Sequence, residues 1–549
     1  MTRPLKNSLP PRPRIIWSIA GHDTSGGAGL SADQRAADAM DVHLCPVVAS
    51  ITAQHSLGVQ AVYPVTLPQL EAQLTALAND MPPAVIKTGL LGQSSTIELV
   101  AKWVDHLRLR NPDLALVVDP VLGASSGGAA FCDDAVLWTV RRELLPRATL
   151  ITPNRAEARR LLGLSAVHNG PDDDAPRLSA RLRQMGAKGV VITGGDAPHP
   201  DWAMDWLDVP QAQGWLCSPR VPTVHHHGSG CTFAAAATAA LARGHNPADA
   251  VVLAKMLTHQ ALQQAHAAGE GAGPVHATAA SPLGPLPYLG LGQQLPWQLT
   301  LAPHERQAVD APLFLPFDAP SDGLYGILPD SRSLADAAQA GVRCLQLRHK
   351  AREGAMAHIQ ASAHVAAQHG ATLFINDHWQ DALALADIPG LKLGLHLGQE
   401  DLLALSLSDR KQLLAARHKV VLGVSTHSLW ELARAAGCGA SAVACGPVQS
   451  TVTKDMPWTP QGEHNLSWWV THSPAPVLAI GGLLTLEDLA RFAACGPATL
   501  CVVRGLGATP AEIAQRVPAL QAAIAAGRAA QASPVDHANS RLTLPHPVL

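Results

Sequence analysis

Between residues 323 and 503 the chain repeats one pattern eight times: an apolar run of strand length, then a helical stretch. The runs lie at 323–328, 344–348, 372–375, 393–397, 420–424, 442–445, 477–480 and 499–503, with helical periodicity between them, as at 358–369 and 486–494. Strands alternating with helices pair in parallel through right-handed crossovers, and eight such units close on themselves. The pattern predicts a (β/α)8, or TIM, barrel with its chemistry at the C-terminal ends of the strands.

Polar side chains gather at those ends. In the second run, alternation puts Gln346, Arg348 and Lys350 on one face and Leu345 and Leu347 on the other. Helices cover the outside of a barrel, so the polar set should face the axis and form a basic pocket for an anionic substrate. Asn376-Asp377 follows the third run and Gly398-Gln399-Glu400-Asp401 the fourth. Carboxylates from neighbouring strand ends suit Mg2+, which keeps bonds to water and phosphate; taken singly they fit helix caps as well. Ser425-Thr426-His427 ends the fifth run, and Gly446-Pro447 the sixth, with Thr451-Val452-Thr453-Lys454 beyond. Gly481-Gly482 and Val503-Arg504-Gly505 end the last two, where such barrels usually build a phosphate cup.

The first half is α/β too, with strand-length runs at 15–20, 44–49, 85–88, 114–118, 149–152 and 189–193. Each ends in a polar or glycine-rich turn, where open α/β sheets bind ligands. Gly228-Ser229-Gly230-Cys231 opens a small-residue helix reaching Ala242. Its glycines admit a phosphate close to the backbone, and the first helical N–H groups lack partners of their own. The helix field would ease deprotonation of Cys231, fitting it as a base or an anion-hole member. A glycine-rich cap on a buried helix explains the four residues equally well. Asn154 with Glu157 suits a Mg2+ or water near nucleotide phosphates, or a simple capping pair. The side chains of His225, His226 and His227 cannot all face one ion from an extended segment, so no metal site is expected there.

Composition narrows the classes. A chain of 549 residues exceeds one core, so two or three domains are expected. Lys and Arg number 40 against 43 Asp and Glu, a net charge of -3 that supports neither a nucleic-acid nor an anionic-membrane partner. Nine cysteines without a CxxC pair argue against a disulfide framework or structural zinc. With no apolar leader after the basic N-terminus, a cytoplasmic protein is expected. Oligomeric state is left open, homo-oligomers included.

Read in order, residues 18–29, Thr52-Ala53-Gln54, Lys87-Thr88-Gly89, Val118-Asp119-Pro120-Val121, Thr152-Pro153-Asn154 and the GSGC loop resemble the hydroxymethylpyrimidine and phosphomethylpyrimidine kinases of the ribokinase-like superfamily, over about 13–277. That resemblance implies a ribokinase-like α/β sandwich. It implies that Gln54 reads an aminopyrimidine, that Gly21 and Asp33 surround it, and that Gly228, Gly230 and Cys231 form the catalytic anion hole. Asn154, Glu157, Thr193 and Gly195 would lie toward the nucleotide. ATP would phosphorylate the pyrimidine alcohol and then its monophosphate, with Mg2+ bridging the nucleotide phosphates. Thr193 stands where the family usually has a lysine, which removes a cation.

The second half, over about 322–528, resembles thiamine phosphate synthase through QLRHK, ND, HLGQED, GVSTH, TVTK and AIGG. The resemblance implies that Gln346, Leu347, Arg348, His349, Lys350, Asn376, Ser425 and Lys454 hold a pyrimidine diphosphate, and that Asp377 and Asp401 hold Mg2+. Thr451, Val452, Thr453, Gly481, Gly482, Val503 and Arg504 would hold a thiazole phosphate. Arg348 and Lys454 would stabilise the leaving pyrophosphate while the thiazole nitrogen attacks a cationic methylene. Arg504 stands where serine is usual, and either strengthens phosphate binding or crowds the cup. Together the halves imply a fusion enzyme of thiamine biosynthesis. Two alternatives stay open for the first half: a pyridoxal-type kinase, or a pyrimidine-binding module without catalysis. Residues 278–321 read as a linker without sustained secondary structure, partly packed through Trp297, Phe314 and Phe317, and 529–549 read as a loose tail.

Overall fold

The computed structural model describes residues 13–123, 132–164, 175–195, 199–301, 312–450, 457–531 and 543–549. It separates into two compact units, Met1–Gln211 with Pro219–Gly284, and Ala212–Ser218 with Pro285–Leu549.

In the first unit the strands are β1 (Ile15–Asp23), β2 (His43–His55), β3 (Gly58–Pro64), β4 (Val85–Thr88), β5 (Ala115–Val118), β6 (Leu150–Ile151), β7 (Val190–Ile192) and β8 (Trp202–Val209). They lie in the order β8-β7-β6-β5-β4-β1-β2-β3. The strands from β7 across to β2 run parallel, and β3 and β8 pair antiparallel at the two ends of that run. The antiparallel pair is what the apolar-run reading misses, because β3 is only half-buried and carries no continuous apolar stretch. The helix Ser229–Ala242 is buried along nearly its whole length and packs on the helices Gly29–Ala39 and Pro247–Gln263. Alanines at 234–237, 239 and 240 let those backbones approach closely. This seats the GSGC loop over the C-terminal edge of the central strands.

The second unit holds the antiparallel pair β9 (Ala212–Pro219) and β10 (Tyr288–Leu289), then eight parallel strands closed into a barrel. These are β11 (Leu324–Leu328), β12 (Cys344–Leu347), β13 (Thr372–Asn376), β14 (Lys392–Leu397), β15 (Val421–Thr426), β16 (Ala442–Cys445), β17 (Val477–Ile480) and β18 (Thr499–Val502). Each falls on one of the eight runs. Inside, Phe374 stacks on Tyr325 and meets Phe317 edge-on, in a cluster that includes Ile327, Cys344, Val421 and Leu478.

Two expected irregular stretches carry structure. The linker contains β10 and a helical turn, Trp297–Thr300, and buries Trp297, Phe314 and Phe317. Its backbone is tied down where the N–H groups of Leu313 and Leu315 donate to the carbonyls of Gly439 and Val420. The described part of the tail is likewise ordered: helix Pro510–Gln531 reaches into it, and residues 543–549 dock with Leu544 and Val548 buried. Sparse apolar residues sufficed because each found a preformed surface. Among the described residues no helix is long and apolar enough to cross a membrane.

Candidate active sites

Each unit has a pocket at the C-terminal ends of its parallel strands. In the first, a cavity of about 130 Å³ is lined by Gly21, Gln54, Asn154, Glu157, Thr193, Gly228, Gly230 and Cys231, together with Asp23, Lys87, Asp119 and His227. Gly228 sits at φ 84 before the helix Ser229–Ala242, and a Cβ there would lie 2.1 Å from the carbonyl oxygen of Gly27. At Gly230 a Cβ would meet nothing within 4 Å, so the backbone there borders open cavity. Gly228→Ala is therefore expected to strain the loop by about 1–3 kcal/mol. Denaturant melts should register that loss, together with a loss of ligand-dependent stabilisation.

Beneath the loop lies a buried charge cluster. Lys87 Nζ is 2.9 Å from Asp33 Oδ2 and 3.6 Å from Asp119 Oδ2, with all three side chains nearly inaccessible. Ser18 Oγ also donates to Asp33. Asp33 therefore lies behind Lys87, outside the cavity lining, rather than around a substrate: its carboxylate is consumed in neutralising a buried ammonium. Lys87 is the only Lys or Arg among the described lining residues. Burial opposes its charge, but Asp33, the Cys231 thiol group and Asp119 outweigh that and hold its pKa well above the usual range. The thiol of Cys231 runs against expectation. Desolvation pushes its pKa far up, Asp119 and Asp33 push the same way, and Lys87 and the Gly29 N–H only partly compensate. The field of the helix end is outweighed by nearby carboxylates and the loss of water. Burial raises the pKa of Asp119, and Lys87 and the Cys231 side chain pull it back down.

Of the two readings made of Asn154 and Glu157, the structure shows the capping pair. They form a reciprocal capping box at the start of the helix Arg155–Leu161, and both line the cavity. Thr193 bridges Asn154 in the backbone, whereas Gly195 is exposed and lies outside the lining. Sequence reasoning passed over His227. Its Nε2 lies 3.0 Å from Asp23 Oδ2 and 3.2 Å from the Gln54 amide. A carboxylate can only accept, so the ring N–H donates to Asp23 Oδ2. Burial would raise Asp23, but His227, Ser25 and the backbone N–H groups of Ser25 and Ala28 hold it far below the usual carboxylate range. Its contribution to stability is present above the ordinary carboxylate pKa and survives acidification well below it.

The barrel pocket, about 600 Å³, is lined by Gln346, Arg348, Lys350, Asn376, Asp377, Asp401, Ser425, Gly481, Gly482, Val503 and Arg504. Leu347 and His349 do not reach it. Leu347 is buried on the opposite face of β12, and His349 Nδ1 donates to the Pro329 carbonyl. Strand alternation, which separated them from Gln346 and Arg348, is the physical reason. Thr451, Val452, Thr453 and Lys454 lie outside the described residues. Gly481 and Gly482 have φ 100 and 76, and side chains there would collide with Pro447 and Gln449. Further lining groups went unassigned in the sequence: His396, His427, Glu431 and Trp458. His396 Nε2 pairs with Ser425 Oγ at 2.8 Å, and burial, joined by Arg348 and opposed by Asp377, lowers its pKa to about 4, so it is neutral. Tyr325 donates to Gln346 Oε1, whose Nε2 donates to Asn376 Oδ1; this relay fixes both amides. The alternation of β11 places Tyr325 inward, a signal available but unused.

Asp377 and Asp401 share this cavity as hard oxygen donors. Asp401 spends Oδ2 on the Gly398 N–H at 2.8 Å, while Asp377 is exposed, with its backbone in the left-handed region at φ 67. Among the described residues no three His, Cys, Asp or Glu side chains group closely enough to hold a metal. A cation here would take the rest of its shell from substrate and water, as Mg2+ commonly does.

Comparison with known proteins agrees with this division. The phosphomethylpyrimidine kinase family model matches residues 23–276, and the thiamine monophosphate synthase model matches 328–506. A hydroxymethylpyrimidine/phosphomethylpyrimidine kinase of Bacillus subtilis is 36% identical over 259 residues, 47% of this chain and 93% of its own. That of Haemophilus influenzae is 37% identical over 272 residues, 49% and 98% respectively. Among solved structures, an ADP complex of Bacillus subtilis pyridoxal kinase aligns with TM-score 0.44 and 31% identity, over 48% of this chain and 98% of that one. The chain belongs to the hydroxymethylpyrimidine/phosphomethylpyrimidine kinase family in its first half, and its barrel matches the thiamine monophosphate synthase family model.

Proposed function

We propose that residues 13–277 use ATP to phosphorylate the hydroxymethyl group of an aminopyrimidine and then its monophosphate, and that residues 322–528 couple the resulting diphosphate to thiazole phosphate, giving thiamine phosphate and pyrophosphate. The observation that carries this reading is the barrel pocket. It sets Arg348, Lys350 and Arg504 around the same 600 Å³ cavity as two carboxylates and two fixed amides, which suits a diphosphate on a polar ring together with a second anionic partner.

In the first unit the N-terminus of the helix Ser229–Ala242 and Lys87 offset charge that builds on the transferring phosphate. Gln54 meets the ring, and the hydroxyl proton would pass to the Asp119 carboxylate, with Cys231 in the anion hole. In the barrel, Gln346 and Asn376 orient the aminopyrimidine, and Arg348 and Lys350 stabilise the departing pyrophosphate. Mg2+ held by Asp377 and Asp401 would supply further neutralisation of the diphosphate.

Purified chain supplied with hydroxymethylpyrimidine, thiazole phosphate, ATP and Mg2+ should make thiamine phosphate. If product appears only when pyrimidine diphosphate is supplied, the first unit is silent or acts on another alcohol, and the kinase half of the proposal fails. If none appears even then, the synthase half fails.

A further inference from the structure

Residues 543–549 form a polar clamp on the helix Gly462–His472, outside every motif read from the sequence. Asn465 holds the backbone of His546 from both sides, accepting its N–H at 2.8 Å and donating to its carbonyl at 3.0 Å. His464 Nε2 donates to the Leu544 carbonyl at 2.8 Å. His546 Nε2 lies 2.9 Å from the Gln461 carbonyl, and its Nδ1 lies 3.1 Å from the Pro547 carbonyl. The Thr459 N–H donates to the Val548 carbonyl at 2.8 Å.

Two of these bonds reach Gln461 and Thr459, next to Trp458 in the lining of the barrel pocket. Gln461, fully buried, donates its N–H to the Pro447 carbonyl and its Nε2 to the His427 carbonyl at 2.7 Å. The Trp458 ring stacks on His427, centroids 5.4 Å apart and 11° from parallel. His427 Nδ1 is in turn 2.9 Å from Glu431. Pro447, Trp458, His427 and Glu431 all line the cavity. Apolar packing alone would seat the segment through Leu544 and Val548; the bonds to the Gln461 carbonyl and the Thr459 N–H also tie it to the backbone that carries Trp458.

We propose that residues 543–549 are a buttress that positions the Trp458–His427 wall for substrate, with His546 and Asn465 as positioning residues. This rests on the reading of the barrel pocket as the coupling site. A loosened wall binds less well before it reacts less well, so the effect belongs in KM.

The test uses the full chain, a deletion of 532–549, and His546→Ala, each given pyrimidine diphosphate and thiazole phosphate. The deletion should raise KM for the diphosphate about tenfold while changing kcat much less. ATP-dependent phosphorylation in the same sample should be unchanged. Trp458→Ala should also raise KM, and combining it with the deletion should add nothing, because both act through one wall. A wild-type KM in the deletion, or full additivity with Trp458→Ala, overturns the proposal. If the deletion unfolds the barrel, His546→Ala decides: it removes the imidazole's contacts to the Gln461 carbonyl and the His464 ring while keeping Leu544 and Val548, so a raised KM supports the buttress and a wild-type KM overturns it. A full chain that does not couple the two substrates overturns the reading of the pocket, and this inference with it.

Discussion

Asp377→Asn should lower coupling of the pyrimidine diphosphate on the order of 10²–10³-fold, the scale on which a preorganised electrostatic contact to a charged transition state is lost. Asparagine tolerates the left-handed backbone that Asp377 adopts at φ 67, so the substitution removes charge and leaves the turn. Asp377→Ala adds the conformational cost and should be no more active. Asp401 cannot replace it fully, because one of its oxygens is tied to the Gly398 N–H. Steady-state rates across a Mg2+ titration check this, with the half-saturating concentration expected to rise. A variant with wild-type rates at low Mg2+ would remove Asp377 from the site.

Lys87→Met should cost the first unit about 3–5 kcal/mol, the usual penalty for deleting one partner of a buried ion pair. Two carboxylates, Asp33 and Asp119, would be left without the ammonium that now sits 2.9 and 3.6 Å from them. The sign with pH distinguishes this from loss of packing. Burial already raises Asp119, and Lys87 pulls it down. Without Lys87 its folded pKa rises further above the unfolded value. The stability tied to its proton is then present at low pH and lost as pH rises through the folded value. The deficit should therefore be largest near neutrality and shrink toward the ordinary carboxylate range, as urea melts at several pH values would reveal. A deficit independent of pH would mean that the lysine matters for its methylenes. Phosphorylation should fall with the cluster intact or not, since Lys87 is the only cation among the described lining residues.

Where the clues are local, the chain is readable. The eight barrel strands follow from short apolar runs, and a period of two separates Gln346 and Arg348 from Leu347 and His349, even where a motif treats all four alike. Gly228 could be singled out because glycine before a helix has few other uses. Asp33 could not be placed, since the partner that buries it lies 54 positions away, and nothing in the helix around it differs from a solvated face. Likewise His227 gains its meaning from Asp23, 204 residues earlier.

The sequence by itself determined the class of both units, the strand ends at which chemistry gathers, and the family to which the first half belongs, because periodicity, turn residues and ordered motifs are short-range properties of the chain. Only the tertiary structure decided what each polar side chain is free to do. It turned Asp33 inward to a lysine, pushed the Cys231 thiol's pKa upward, aligned the Tyr325–Gln346–Asn376 relay, and docked residues 543–549 against the helix beyond Trp458. The reason is that charge state and orientation depend on which groups lie within a few ångströms and how much water has left, and folding sets both through contacts that sequence spacing does not contain.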